Sequence, residues 1–128
     1  MRLLPFLFVI LTFFSYAEDF ITEFEYGQML YRDPHGASCA ACHGEAGEGK
    51  LISEYADKQG KYVSLVGPDI RNATLARIRA SVESGKGVMP RYFLTDKEIK
   101  TIYAYLQKVN NHKKTAISKL FSDSDTDN

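Results

Sequence analysis

The stretch Cys39-Ala40-Ala41-Cys42-His43 constrains this chain more than any other. It holds both cysteines of the protein, two residues apart, with a histidine directly after the second. A C-x-x-C-H run is the attachment signature of c-type haem. Two thiols at that spacing can add to the two vinyl groups of one porphyrin, making two thioether bonds. The next side chain is then held under the ring, where an imidazole can ligate iron. Two small alanines between the thiols allow a tight turn against the haem edge. Cys39 and Cys42 are therefore the expected tethers of one covalent haem c, and His43 the expected proximal ligand of its iron.

Three other chemistries compete for the same residues. The pair can close a structural disulfide. It can form a thioredoxin-like redox site, which wants a preceding strand and the first cysteine at a helix N-terminus. Here Gly36-Ala37-Ser38 precedes the motif, with a helical pattern before it. Zinc is the third alternative, but a structural zinc site takes four ligands. Cys39, Cys42 and His43 supply three, and there is no second cysteine pair.

At 128 residues the chain is sized for one domain. Residues 1–17 read as a signal peptide. Arg2 gives a positive start, Leu3 to Ala17 carries no charge, and Ser15-Tyr16-Ala17 offers small residues where a signal peptidase reads. An uncharged run this short does not reach the ~20 residues a spanning helix needs, so cleavage is expected and an uncleaved membrane tether is the alternative. Export to the periplasm agrees with the haem reading, because attachment to C-x-x-C-H takes place outside the cytoplasm. Without the leader, 15 basic residues face 16 acidic ones, a balance that argues against nucleic acid as a partner.

Residues 18–112 form the expected domain and residues 113–128 a polar, disordered tail, with Ile117, Leu120 and Phe121 able to add a short helical turn before its acidic end. Asp123, Asp125 and Asp127 alternate in that tail without the glycine and glutamate of a calcium loop. From Phe20 to Arg32 the apolar residues Phe20, Ile21, Phe24, Leu30 and Tyr31 fit one helical face, and Asp33-Pro34 ends it. Gly27, inside this helix, costs ~1 kcal/mol relative to alanine and suggests close approach of another helix. The partner is the helix from Asp96 to about Val109, opened by a Thr95–Glu98 capping box and striped by Ile99, Ile102, Tyr103, Leu106 and Val109. Residues 44–66 read as a loop around the haem edge, with a short helix near Ile52 to Lys58. Gly67-Pro68 punctuates the chain, and Asn72 caps a helix running to about Glu83 with Leu75, Ile78 and Val82 inward. Gly85-Lys86-Gly87 ends that helix. The fold class expected is all-α.

An iron bound by His43 has one axial position left. Met89 is the best candidate, in a loop held by Pro90, with a thioether long enough to cross the porphyrin face. Met29 is better read as core filler in the first helix. His35 lies too near the motif to reach the opposite face, and His112 sits at the frayed end of the last helix. The remaining alternative is an open-sided iron with Met89 in the core.

With these residues in view the sequence resembles the class I c-type cytochromes, soluble monohaem electron carriers. The likeness covers about residues 20–110 and rests on Gly27-Gln28-Met29-Leu30-Tyr31, Cys39 to His43, Gly67-Pro68, Val88-Met89-Pro90 and Tyr103-Ala104-Tyr105-Leu106. The resemblance implies a small cytochrome c-like fold whose first and last helices cross around the haem, with Gly27 and Tyr31 meeting Ile102 and Tyr105. It also implies that the Pro68 carbonyl accepts a hydrogen bond from His43 and orients that ligand. The 24 residues between His43 and Pro68 depart from the compact members of the family.

The activity expected is one-electron transfer between redox partner proteins, by a monomer or in transient complexes, and not catalysis. Two alternatives stay open: a haem subunit of a larger oxidoreductase in respiratory or sulfur-compound metabolism, and an open-site haem enzyme or gas sensor. Lys50, Lys86 and Arg91 are candidates to steer an acidic partner, with a solvated face as the plainer account. Arg77, Arg79 and Tyr92 are candidates to bond the haem propionates.

Overall fold

The computed structural model describes residues 20–124. The expected signal peptide, residues 1–17, lies outside the described residues, as do residues 125–128 at the end of the tail. In chain order the elements are α1 (Glu23–Arg32), α2 (Cys39–His43), β1 (Lys50–Ala56), β2 (Tyr62–Gly67), α3 (Leu75–Ser84) and α4 (Asp96–Ser124). An all-α chain was the expectation; the structure corrects it to helices with a two-stranded antiparallel sheet.

Each long helix begins where a side chain satisfies its free amides. Thr22 caps α1 through a reciprocal box with Glu25: the Glu25 amide donates to the Thr22 hydroxyl at 3.2 Å, and the Thr22 amide to the Glu25 carboxylate at 2.9 Å. Thr95 and Glu98 open α4 in the same way. The cap of α3 is Thr74 rather than Asn72, its hydroxyl accepting from the Arg77 amide. Gly85, in the left-handed conformation, closes α3.

The segment expected to be a loop with a short helix is instead a hairpin. Ile52, Tyr55, Tyr62, Val63 and Val66 favour extended backbone. The connecting turn has its own chemistry: the Asp57 carboxylate accepts from the amides of Gln59 and Lys61, both at 2.9 Å. Lys50 pairs with Gly67 at the base and Ala56 with Tyr62 near the tip, with an irregularity between Leu51 and Ser53.

Helix α1 packs on α4, and Gly27 is the reason the two backbones can meet. A Cβ there would sit 2.7 Å from the Thr101 carbonyl oxygen and 2.8 Å from the Tyr105 Cβ. Around that contact Leu30, Tyr31, Ala40, Ile102, Tyr105 and Leu106 form the main core. The Tyr105 ring lies 5.3 Å from that of Phe24 and 5.5 Å from that of Tyr31, both tilted. A smaller core of Val82, Tyr92 and Ile99 joins α3 to α4. Fully burying each large apolar side chain contributes about 2 kcal/mol, so stability rests on these helix contacts. The hairpin adds little, since β1 is exposed along its whole length.

Three further expectations are corrected. Met29 is not core filler but 57% exposed. Tyr103, expected on the inner stripe, is only half-buried, while Tyr105 is buried against Gly27 and Tyr31, as the resemblance implies. Helix α4 does not end near Val109: it continues through the segment expected to be disordered, as far as Ser124. Residues 111–119 are exposed, with Lys113 3.8 Å from the Glu48 carboxylate, so burial does not explain this part of the helix. Propagating a helix already nucleated is far easier than starting one, and Lys, Ala and Leu are good helix formers. Among the described residues no helix is long and apolar enough to cross a membrane.

Candidate functional site

The motif itself forms α2, a single turn and a half of helix, with Ala40 in the main core and Ala41 exposed. That orientation buries His43, which is 9% exposed. Its Nδ1 lies 2.9 Å from the Pro68 carbonyl oxygen. A carbonyl only accepts, so Nδ1 carries the proton and Nε2 keeps its lone pair for a metal.

The hairpin explains how Pro68 returns to His43 across 24 residues. The Gly49 amide donates to the His43 carbonyl at 2.7 Å, immediately before β1. The strands then run out and back, so that Lys50↔Gly67 closes the base. Gly67 lies against the Cys42 carbonyl so closely that a Cβ would overlap the oxygen. Pro68 follows directly. The Gly49 and Pro68 hydrogen bonds to His43 are thus made by residues flanking the base of one hairpin.

His43 lines a cavity of about 490 Å³ together with Cys39, Pro68 and Met89. Apolar Ile78, Val82, Ile102 and Leu106 line it as well, with Arg77 and Ser81 among its polar residues. Cys42 is half-buried and not part of this lining. Met89 is half-buried in the loop after α3 and packs against the Val82–Tyr92–Ile99 core. The other ligand candidates stand elsewhere. His35 is exposed, its Nε2 3.6 Å from Glu98, and His112 is exposed on α4. Among the propionate candidates, Arg77 lines the cavity, Arg79 pairs with Asp96, and the Tyr92 hydroxyl donates to the Ala37 carbonyl. Lys50, Lys86 and Arg91 are exposed.

The donor set fits a haem better than the competing chemistries. Cys39 and Cys42 are free thiols. Burial pushes the Cys39 thiol up to about 11, opposite to the lowered value of a reactive C-x-x-C nucleophile. Among the described residues no group of three or more His, Cys, Asp and Glu side chains is placed to hold a metal ion. A largely apolar cavity with a buried imidazole, a thiol and a thioether at its walls suits a flat apolar macrocycle with an iron at its centre.

Sequence reasoning missed Tyr31, Tyr105 and Asn110 as parts of the site. Their side chains donate to the carbonyls of Gly44, Glu45 and Ala46, the three residues after His43. Core-type spacing in a helix carries no signal of where a hydroxyl ends up. Asn110 was detectable as a polar residue one position after the apolar stripe.

No curated protein and no solved structure matches the chain significantly. A family model does: that of cytochrome c oxidase, cbb3-type, subunit III, over residues 22–106. This is a c-type cytochrome domain, with covalently bound haem c and its iron, and Cys39 and Cys42 fit the attachment pattern. The match runs from the Thr22 cap of α1 to Leu106 in the core of α4, about two thirds of the chain, and so takes in the whole hairpin. By that match the chain belongs to the family of cytochrome c oxidase, cbb3-type, subunit III, and is a c-type cytochrome.

Proposed function

We propose that this protein is an exported one-electron carrier, with haem c tethered by Cys39 and Cys42 and its iron ligated by His43 and Met89. When bound, the haem supplies the Fe(III)/Fe(II) couple. The observation that supports this most is His43. It is buried, its Nδ1 is occupied by Pro68, and Nε2 is left for a metal in a cavity that Met89 also lines.

Each residue then has a physical task. Cys39 and Cys42 hold the ring by two bonds, so the site cannot lose its cofactor on dilution. Met89 brings a soft thioether, which favours the ferrous state and raises the potential. The apolar walls act in the same direction, because the oxidised centre carries more charge and is penalised more by burial. His43 and Met89 would together hold the iron against an incoming substrate, so the role supported is carriage of electrons rather than catalysis. Residues 1–17 supply the export signal to the periplasm.

Spectra of the purified protein, oxidised and reduced, test this reading with carbon monoxide added to the reduced form. Low-spin iron in both states and slow carbon monoxide binding are expected. Rapid binding would instead favour an open-site enzyme or gas sensor.

A second reading, a haem subunit of a larger oxidoreductase, is supported by the hairpin. Tyr62 is 84% exposed, Val66 56% and Leu51 52%, a concentration of apolar side chains that suits a protein–protein contact. The family's description as an oxidase subunit points the same way. A stable co-purifying partner, lost on replacing Leu51, Tyr62 and Val66 by serine, would favour it.

A further inference from the structure

We infer that Tyr31, Tyr105 and Asn110 are positioning residues that set the strength of the His43–Pro68 hydrogen bond, and through it the reduction potential of the bound haem. The inference rests on the reading that His43 ligates the iron.

Every carbonyl from His43 to Gly47 is taken. His43 accepts from the Gly49 amide at 2.7 Å, and Gly47 from the Ile70 amide at 2.8 Å. Between them, Gly44 accepts from the Tyr31 hydroxyl at 2.8 Å, Glu45 from the Tyr105 hydroxyl at 2.9 Å, and Ala46 from the Asn110 amide nitrogen at 2.9 Å. The three side-chain donors come from α1 and α4, the pair locked together at Gly27. Asn110 also donates to the Leu106 carbonyl at 2.7 Å, which fixes its own rotamer. All three donors are buried.

The turn they hold is the only covalent stretch between His43 and the hairpin. Its far end, Gly47, bonds the chain two residues beyond Pro68. The helix pair therefore fixes the turn, and the turn fixes both His43 and the segment whose carbonyl receives its Nδ1–H. Packing alone would be served by phenylalanine and leucine at these positions. What the hydroxyls and the amide add is a donor for each of three consecutive carbonyls.

An imidazole that donates strongly from Nδ1 is more basic at Nε2. A more basic ligand favours the oxidised, more highly charged iron and lowers the potential. Slackening the turn weakens that hydrogen bond, so the potential rises.

The test uses the haem-loaded full chain with Tyr31→Phe, Tyr105→Phe and Asn110→Leu, each of which keeps volume and removes the donor. Midpoint potential, exchange of the His43 Nδ1 proton by NMR in the reduced state, and thermal melting are measured together. Each variant is expected to shift the redox equilibrium about threefold toward the reduced form, or ~28 mV at 59 mV per tenfold, and to speed Nδ1 proton exchange. Lower melting with unchanged potential and exchange would overturn the inference, leaving the three as stabilising residues only. Should one variant fail to fold, the other two decide. Wild-type protein lacking a His43-ligated haem would overturn the functional reading as well, and is seen before any variant is made.

Discussion

The Nδ1 of His43 lies 2.9 Å from the carbonyl oxygen of Pro68, although a complete hairpin separates the two residues. The geometry depends on Gly67, which leaves no room for a side chain above the Cys42 carbonyl. Gly67→Ala must push either the strand end or α2 aside. We expect a loss of about 3 kcal/mol, the upper range for overpacking, together with a sharp fall in the yield of haem-loaded protein. Gly60→Ala at the hairpin tip meets no neighbouring atom but has a φ of 77°, and should cost only about 1 kcal/mol. Denaturant melts and haem content of the two variants check the contrast.

Gly27 gives a second, opposed pair of effects. Alanine there gains ~1 kcal/mol in helix propensity, but its Cβ meets the Thr101 carbonyl, which belongs to the backbone of α4 and cannot swing away. Overpacking of this kind costs about 1–3 kcal/mol, so Gly27→Ala should be net destabilising by up to about 2 kcal/mol. A stabilised variant would mean that the two helices do not meet as closely as described.

The positions that were legible in the sequence share a local cause. Thr95 and Glu98 announce a cap by spacing alone, and Cys39, Cys42 and His43 announce their chemistry by identity. The Thr22–Glu25 box is equally local, but the apolar residues Phe20 and Ile21 before it place the expected helix start too early. The hairpin was obscured by Glu54, Asp57, Lys58 and Lys61, whose charges suggested a solvated loop. β1 is exposed along its whole length and β2 only half-buries Val63 and Leu65, which is too little to impose a strict apolar alternation, and the Asp57 turn carries the signal instead. The clamp by Tyr31, Tyr105 and Asn110 was not legible at all, since it depends on how α1 and α4 meet.

Burial holds the Tyr31 hydroxyl above its ordinary range and pushes that of Tyr92 up to about 12. Both keep their protons in the folded state when an unfolded tyrosine, near pH 10, has lost its own. The unfolded chain then binds fewer protons, so stability falls as pH rises. It should be complete below about pH 10 and decline above it, toward the folded values. Denaturant midpoints across that range check this, and Tyr31→Phe should flatten the decline. A flat profile in the wild type would contradict the burial of these hydroxyls.

Met89→Leu keeps the packing volume against Val82, Tyr92 and Ile99 and should cost under about 1.5 kcal/mol. Removing the thioether should lower the potential by about 59 mV or more, a tenfold change in the redox equilibrium, and open the iron to carbon monoxide. Potentiometry and carbon monoxide kinetics on one sample read both effects. Unchanged values would place Met89 in the core and off the iron.

The attachment of the cofactor through Cys39 and Cys42 is tested most directly by the intact mass of the exported protein under denaturing conditions. One haem is expected to remain on each polypeptide after unfolding. A mass equal to the bare polypeptide would contradict the account.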